Sequence, residues 1–374
     1  MTHSPTPLRI AVVGSSCRAA VACLRRSDVA AVAADQFADA DLRQMAQACQ
    51  LDNYPGDIPA WLATTDATHW IYVGGLENHP DIIAAAAAVR PLLGVDSPAL
   101  PAIRDPLLLQ SRLRDAGFRF PETQVEPPSA GRWILKPRRS AGGLQIREFS
   151  QPTPNADVVY QRFVPGRCFG AAFVAIAGKA QSLGVTRQLS GRKWKAPQPF
   201  QYAGSIGPIQ LPQSQQQQLQ SLADFLVAST QLQGMFGVDF IVRGDELWPL
   251  EINPRFTAAM ELSPVDVMRL HLSAWLPEWR SEHPVRKPTA PAIGGKLYLF
   301  APCDVAWTES LGRTLQQTAA EISLEIADIP MAGVKITRSA PLLTLLGSAA
   351  ELGIVSSRLR NGAKRVLQRL IADK

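Results

Sequence analysis

The stretch MFGVDFIVRGDELWPLEINPR, running from Met235 to Arg255, decides how this chain is read. Phe236, Val238, Phe240 and Val242 alternate with Gly237, Asp239, Ile241 and Arg243, and alternation resumes from Leu247 to Asn253 after Gly244 and Asp245. A period of two on both sides of a Gly-Asp break predicts a β-hairpin. Residues directly opposite in an antiparallel pair share a face, so the register decides what the acids do. A three-residue loop, Gly244 to Glu246, sets Arg243 against Leu247 and brings Asp239 opposite Glu251, with Asn253 on the same face. A two-residue turn would send the two acids to opposite faces. Gathered together, the three oxygen-bearing side chains suit Mg²⁺, and Arg255 just beyond suits a phosphate. The competing reading is an exposed, charged hairpin. It is disfavoured because these acids lie among Phe, Val, Ile and Trp, where unpaired carboxylates are costly to bury.

Outward from the hairpin, composition sets bounds. A chain of 374 residues with 46% hydrophobic and 19% charged residues can bury a large core and fill two or three domains. Its formal charge of +6 favours anionic ligands, but no block of Lys and Arg forms a nucleic-acid arm. Five scattered cysteines, Cys17, Cys23, Cys49, Cys168 and Cys303, make neither a disulfide framework nor a zinc spacing and point to a reducing cytoplasm. Met1 to Pro7 lacks a signal pattern, and the alanine run from Ile82 to Val89 is too short to span a bilayer.

The chain opens as βαβ. Leu8–Val13 and Val29–Ala34 read as strands around a helix from Arg18 to Arg26, and a helix from Leu42 to Cys49, a strand at Trp70–Val73 and a helix from Ile82 to Val89 continue the alternation. A dinucleotide site would need GxGxxG ahead of Asp35, and only Gly14 is present, so a structural α/β lobe is expected. Gly74 to Pro80 follows a strand, where open α/β sheets bind ligands, or simply leads into a helix capped by Asn78. Asp105-Pro106 starts a helix running to about Ala116.

Trp133–Pro137 reads as a strand with Lys136 on the face opposite Trp133 and Leu135, followed by the basic, glycine-bearing segment Arg138 to Gly143. Backbone N–H groups of such a loop can approach phosphate, and the lysine adds a mobile charge. Val158–Val164 and Cys168–Ile176 extend an antiparallel lobe of about four strands, and Gln161 and Phe163 could read the edge of a purine with their backbone groups. The basic loop Gly191 to Lys195, containing Trp194, reads as a mobile cover over an anionic substrate or as a solvated loop. Ser214 caps a helix whose core face is Leu219, Leu222, Ala223, Leu226 and Val227. Pro284 to Pro291 is a link, Lys296 to Phe300 a strand, and Leu342 to Leu370 mostly helix with a basic, solvated face.

An α/β lobe, Lys136 with its glycine loop, the Gln161 segment, Asp239, and Glu251-Ile-Asn-Pro-Arg255 stand in an order that resembles the ATP-grasp superfamily. The resemblance covers roughly Pro101 to Leu262. It implies a fold of α/β and α+β parts, an ATP-grasp core behind an N-terminal Rossmann-like parallel-sheet lobe, in three segments: 1–101, 102–290 and a C-terminal extension, 291–374. It implies ATP held by Lys136, Ser140, Gly142, Gly143, Gln161, Arg162 and Phe163, and Mg²⁺, or Mn²⁺ in its place, held by Asp239, Glu251 and Asn253. Arg255 and Arg187 would offset charge on the transferred phosphoryl group. Pro106 stands about where many members carry an early ATP-binding lysine, and Cys168 about where an acid often holds the ribose.

Gly75-Leu-Glu-Asn-His-Pro80, Thr186-Arg-Gln188, Tyr202-Ala-Gly204 with Pro208, and Ala327-Asp-Ile-Pro330 before Gly333 further resemble the branch linked to tetrahydromethanopterin and methanofuran-type one-carbon metabolism. The activity implied is ligation of a carboxylate, such as glutamate, to an amine through an acyl phosphate. The partners implied are small molecules, with no nucleic acid or membrane, and homo-oligomerisation is left open. A nucleotide-binding subunit without ligase activity is the alternative, and a nicotinamide oxidoreductase a distant third.

Overall fold

The computed structural model describes residues 7–151, 157–283 and 292–373. The link at 284–291 lies outside them, as do residues 1–6. Four parallel strands, in the order Gln47–Gln50, Ala30–Asp35, Arg9–Gly14 and His69–Tyr72, form the first sheet. Ile10 to Val13 are fully buried, the continuous apolar run expected of a parallel strand covered on both faces. The segment read as one helix, 42–49, is a helix at Ala40–Met45 followed by the edge strand Gln47–Gln50, which pairs with Val32 to Asp35. Asp35 turns inward and accepts the amides of Cys17, Phe37 and Ala38. It is spent on the fold, in keeping with a structural lobe.

Pro106–Asp115 is a helix capped by Asp105, whose side chain accepts the amides of Leu107 and Leu108. The small antiparallel sheet that follows has the order Thr123–Gln124, Val158–Arg162, Trp133–Pro137, Arg147–Glu148. Its outer face carries Trp133, Leu135, Val158 and Tyr160 as a separate apolar cluster, so Ile134, Lys136 and Gln161 face the other way. The strand read from Cys168 does not belong here. It spans Arg167–Ile176 and pairs with Gly234–Arg243 in a second, larger sheet.

That antiparallel sheet has eight strands: Glu246–Asn253, Gly234–Arg243, Arg167–Ile176, Lys179–Ser190, Tyr202–Gly207, Ile293–Phe300, Pro341–Ala349 and Glu325–Ala327. The helix Gln213–Thr230 buries Leu219, Leu222, Ala223, Leu226 and Val227 in the cluster formed with Phe169, Phe173, Phe236 and Phe240. The segment expected to be helical from Leu342 begins instead with the strand Pro341–Ala349, and the helix is Leu352–Ala372. The strand's leucine-rich run, Leu342 to Leu345, is buried, and a neighbouring strand pairs with it on either edge. The C-terminal extension thus completes the sheet to which the hairpin belongs.

Candidate functional site

The hairpin pairs Asp239 with Glu251 and Gly237 with Asn253, but by a route the sequence does not announce. Its turn has two residues, since Arg243 pairs with Glu246, where a three-residue loop was expected. The register then shifts between Phe240, which faces Pro249, and Asp239, which faces Glu251, and Leu250 is left over as a bulge. The bulge restores the parity that the short turn removes. Pro249, which has no N–H, sits beside it on the outermost strand of the sheet, where a missing ladder bond is tolerated.

On the shared face, Asn253 Nδ2 donates to Asp239 Oδ2 (3.3 Å) and Gln188 Nε2 donates to Asp239 Oδ1 (2.7 Å). Gly170 lies beneath: a Cβ there would stand 3.3 Å from Asp239 Oδ1. Glu251 is gripped by two cations. Arg104 Nη1 pairs with its Oε1, and Lys136 Nζ lies 3.3 Å from its Oε2 and 3.4 Å from the bulge carbonyl of Leu250. Burial pushes the Glu251 carboxyl up, but Arg104 and Lys136 overcome it and hold the group at about 2. Asp239 has no cation in contact; burial, followed by the charge of Glu251, pushes it up to about 7. The cations beside Glu251 favour its ionised form, whereas burial and the charge of Glu251 oppose ionisation of Asp239.

Arg255 Nη2 donates to Glu77 Oε1 (2.5 Å) and Asn253 Oδ1 (3.2 Å), and its Nη1 donates to the Phe256 carbonyl (3.0 Å). Glu77 stands on the turn Leu76–Asn78 after the last strand of the parallel sheet, and its side chain has no exposed surface. Burial opposes its ionisation, but Arg255 holds its carboxyl below the usual range. The sequence reading left Glu77 and Arg104 out of the site; the cue for Glu77 was an acid in a loop at a strand's carboxyl end.

Lys136, Gln188, Asp239, Glu251, Asn253 and Arg255 line one cavity of about 720 Å³, while Glu77 and Arg104 stand outside its lining. Lys136, Gly142, Gly143, Gln161, Arg162 and Phe163 line one end, together with Cys168. Gly142 and Gly143 have φ of +63° and +70°, and a Cβ on Gly143 would stand 2.2 Å from the Phe200 carbonyl oxygen. Only glycine permits that approach. Two expectations change at this end. The Phe163 amide donates to the Arg132 carbonyl, and Gln161 is paired on both sides with Thr123 and Ile134, so the Phe163 amide is not free to read a purine edge. Ser140 does not line the cavity; its carbonyl accepts from Arg104 Nη2 (3.4 Å). A third concerns Arg187. Thr186, Gln188 and Ser190 line the cavity, and Arg187 does not, because alternation on the strand Lys179–Ser190 turns it to the opposite face. Trp194 is 4% exposed and packs in the C-terminal core under Arg360, so the basic loop is anchored and is no mobile cover.

The other end is walled by Ser15, Ser16 and Phe37 from the first lobe and by Tyr298 and Asp328. A buried network at that end joins three parts of the chain, with Arg18, Lys296 and Asp328 also lining the cavity: Arg18 pairs with Glu261 and with Asp328 (3.0 Å), and Lys296 pairs with Glu261 (2.7 Å).

Residues 103–259 match the family model described as ATP-grasp domain. The whole chain is similar in structure to an N5-carboxyaminoimidazole ribonucleotide synthetase in complex with ADP, at TM-score 0.70 and 12% identity over 99% of this chain and 100% of that one. It is similar to the L-amino acid ligase from Bacillus licheniformis (TM-score 0.68, 14% identity, 97% and 98% covered). It also resembles the biotin carboxylase domain of 2-oxoglutarate carboxylase from Hydrogenobacter thermophilus, a dimer in complex with MgADP, ADP and bicarbonate (TM-score 0.67, 12% identity, 95% and 89% covered). No curated protein matches the sequence. The chain has the ATP-grasp fold, with a four-stranded parallel sheet at its amino-terminal side. No helix among the described residues is long and apolar enough to cross a membrane.

Proposed function

We propose that this chain is an ATP- and Mg²⁺-dependent ligase that joins a carboxylate to an amine. The observation that carries the reading is the pairing of Asp239 with Glu251 beside Asn253, at the middle of a cavity with Lys136 and two left-handed glycines at one end. The donor types fit the metal: two carboxylates and an amide oxygen are the hard ligands Mg²⁺ takes, with the Asn253 oxygen, which accepts from Arg255, turning to join them. Asp239, Glu251 and Asn253 would hold Mg²⁺, which supplies charge neutralisation between adjacent phosphates.

The chain's own residues supply the rest. Gly142 and Gly143 offer backbone N–H groups to phosphate oxygens, and Ile134 and Gln161 border the base. Arg104 keeps Glu251 ionised from outside the cavity. Arg255 offsets charge on the phosphoryl group as it passes to the substrate carboxylate. The amine then forms the C–N bond, the C–O bond to phosphate breaks, and the nitrogen loses a proton. Glutamate and a tyramine-like amine are the first substrates to try, because the segments that resemble the one-carbon branch include Thr186 and Gln188, which line the cavity. A cytoplasmic setting suits ATP as the substrate and the absence of a disulfide framework.

The test is ADP release from ATP and Mg²⁺ with glutamate and tyramine, then with a panel of other acids and amines. Amine-dependent ADP release is expected. Nucleotide binding without release on any pair would favour a binding subunit instead.

A further inference from the structure

Arg255 has three partners. Two of them, Asn253 and the Phe256 carbonyl, are its near neighbours in the chain. The third is Glu77, which comes from the amino-terminal lobe 178 residues away in sequence. The segments around the pair also touch: Tyr72 Oη donates to the Pro254 carbonyl (3.4 Å), and a Cβ on Gly74 would stand 3.5 Å from the Arg255 guanidinium carbon. Glu77 does not line the cavity and has no exposed surface, so it can touch no substrate.

The pair is joined at a single point, Nη2 to Oε1, and among the described residues neither Arg255 Nε nor Glu77 Oε2, both buried, has a hydrogen-bond partner. A guanidinium and a carboxylate can close into a two-point fork, and a small rotation of Arg255 would satisfy both atoms at once. Leaving two buried polar atoms open is costly in a site that only has to hold together. In this pair it leaves the guanidinium a defined second position.

We propose that Glu77 is a positioning residue: the amino-terminal lobe uses it to aim Arg255 at the terminal phosphate of the nucleotide. This rests on the reading of the cavity as a phosphoryl-transfer site. A diphosphate, which lacks that phosphate, should be indifferent to Glu77, and a triphosphate should depend on it.

The experiment is calorimetric titration of the full chain with MgADP and with the Mg²⁺ complex of the imido analogue of ATP. It is run on the unaltered protein, Glu77→Gln, Glu77→Asp, Arg255→Ala and the double variant Glu77→Gln/Arg255→Ala. Glu77→Gln should keep MgADP affinity within about twofold and weaken the triphosphate about tenfold or more. Glu77→Asp, with its charge kept but withdrawn by one methylene, should fall between. The double variant should be no worse than Arg255→Ala alone. Equal weakening of both nucleotides, loss of the fold in Glu77→Gln, or an unchanged preference for triphosphate would overturn the assignment while leaving the proposed function standing. Failure of the unaltered protein to bind MgADP would overturn both.

Discussion

Asp239 faces Glu251 across the hairpin because Leu250, one residue without a partner, corrects the parity of a two-residue turn. Removing Leu250 should close the bulge and leave Asp239 opposite Glu251, with Asn253 on the same face. The deletion variant is expected to keep Mg²⁺-dependent ADP binding in calorimetry, with its circular dichroism unchanged. Loss of binding in a folded deletion variant would mean that the register alone does not make the site.

Glu251→Gln and Asn253→Ala should each abolish Mg²⁺-dependent ADP formation and leave the fold intact, as judged by thermal unfolding. Glu251 also neutralises Arg104 and Lys136, so the fold of Glu251→Gln is the more demanding half of this test. Turnover near the unaltered rate by either variant would remove that residue from the metal set.

Two neighbours on one strand should behave oppositely. Gln188 donates to Asp239 and fixes the orientation of its carboxylate, so Gln188→Leu should lower the apparent Mg²⁺ affinity by about ten- to a hundredfold. Arg187, facing away, should tolerate Met with the affinity unchanged. A Mg²⁺ titration of ADP release on both variants distinguishes the faces, and a loss in Arg187→Met equal to that in Gln188→Leu would refute this assignment of the two faces.

His271 sets a pH dependence of stability. Its Nδ1 accepts the Met235 amide (3.0 Å) and its Nε2 donates to the Leu93 carbonyl (3.1 Å), and burial lowers it from 6.5 to about 4. The folded pKa lies below the unfolded one, so the unfolded chain takes up the proton first on acidification. This contribution is complete above 6.5 and is lost as pH falls from there to about 4. Stability should fall by up to about 1.4 kcal/mol per pH unit across that window. Urea unfolding over the window should show a shallower slope in His271→Gln than in the unaltered protein; identical slopes would discard the assignment.

Glu261 neutralises Arg18 and Lys296, side chains 4% and 1% exposed. Glu261→Gln leaves two buried cations short of an anion and should cost about 3–5 kcal/mol of stability. Adding Lys296→Met should restore part of that loss, because the second change removes the stranded charge. A drop in melting temperature without any recovery in the double variant would argue against charge as the cause.

Periodicity made most of the architecture legible: the βαβ opening, the Asp105-Pro106 helix start, the facing of Lys136 against Trp133 and Leu135, and the acid face of the hairpin. What stayed hidden was pairing between distant segments. Nothing in a local window says that Arg167–Ile176 leaves the small sheet for the large one, or that Pro341–Ala349 is a strand, because a leucine run serves a buried strand and a buried helix equally well. Glu77 and Arg104 escape a sequence reading for the same reason, since each acquires its role from a residue well over a hundred positions away. Charge alone favours Arg187 over Gln188, although alternation turns only Gln188 into the cavity.

The eight-stranded sheet has a practical bearing on where this gene can be cut. Three of its strands, Ile293–Phe300, Pro341–Ala349 and Glu325–Ala327, lie beyond the matched segment 103–259, and Tyr202–Gly207 pairs directly with the first of them. A polypeptide ending at residue 259 would expose that strand as a raw edge, open to pairing with another molecule, and one beginning at 103 would leave Arg255 without its acid. Fragments chosen from the sequence match alone should therefore aggregate. Swapping whole lobes between similar proteins should succeed only when Glu77 and Arg255 travel together.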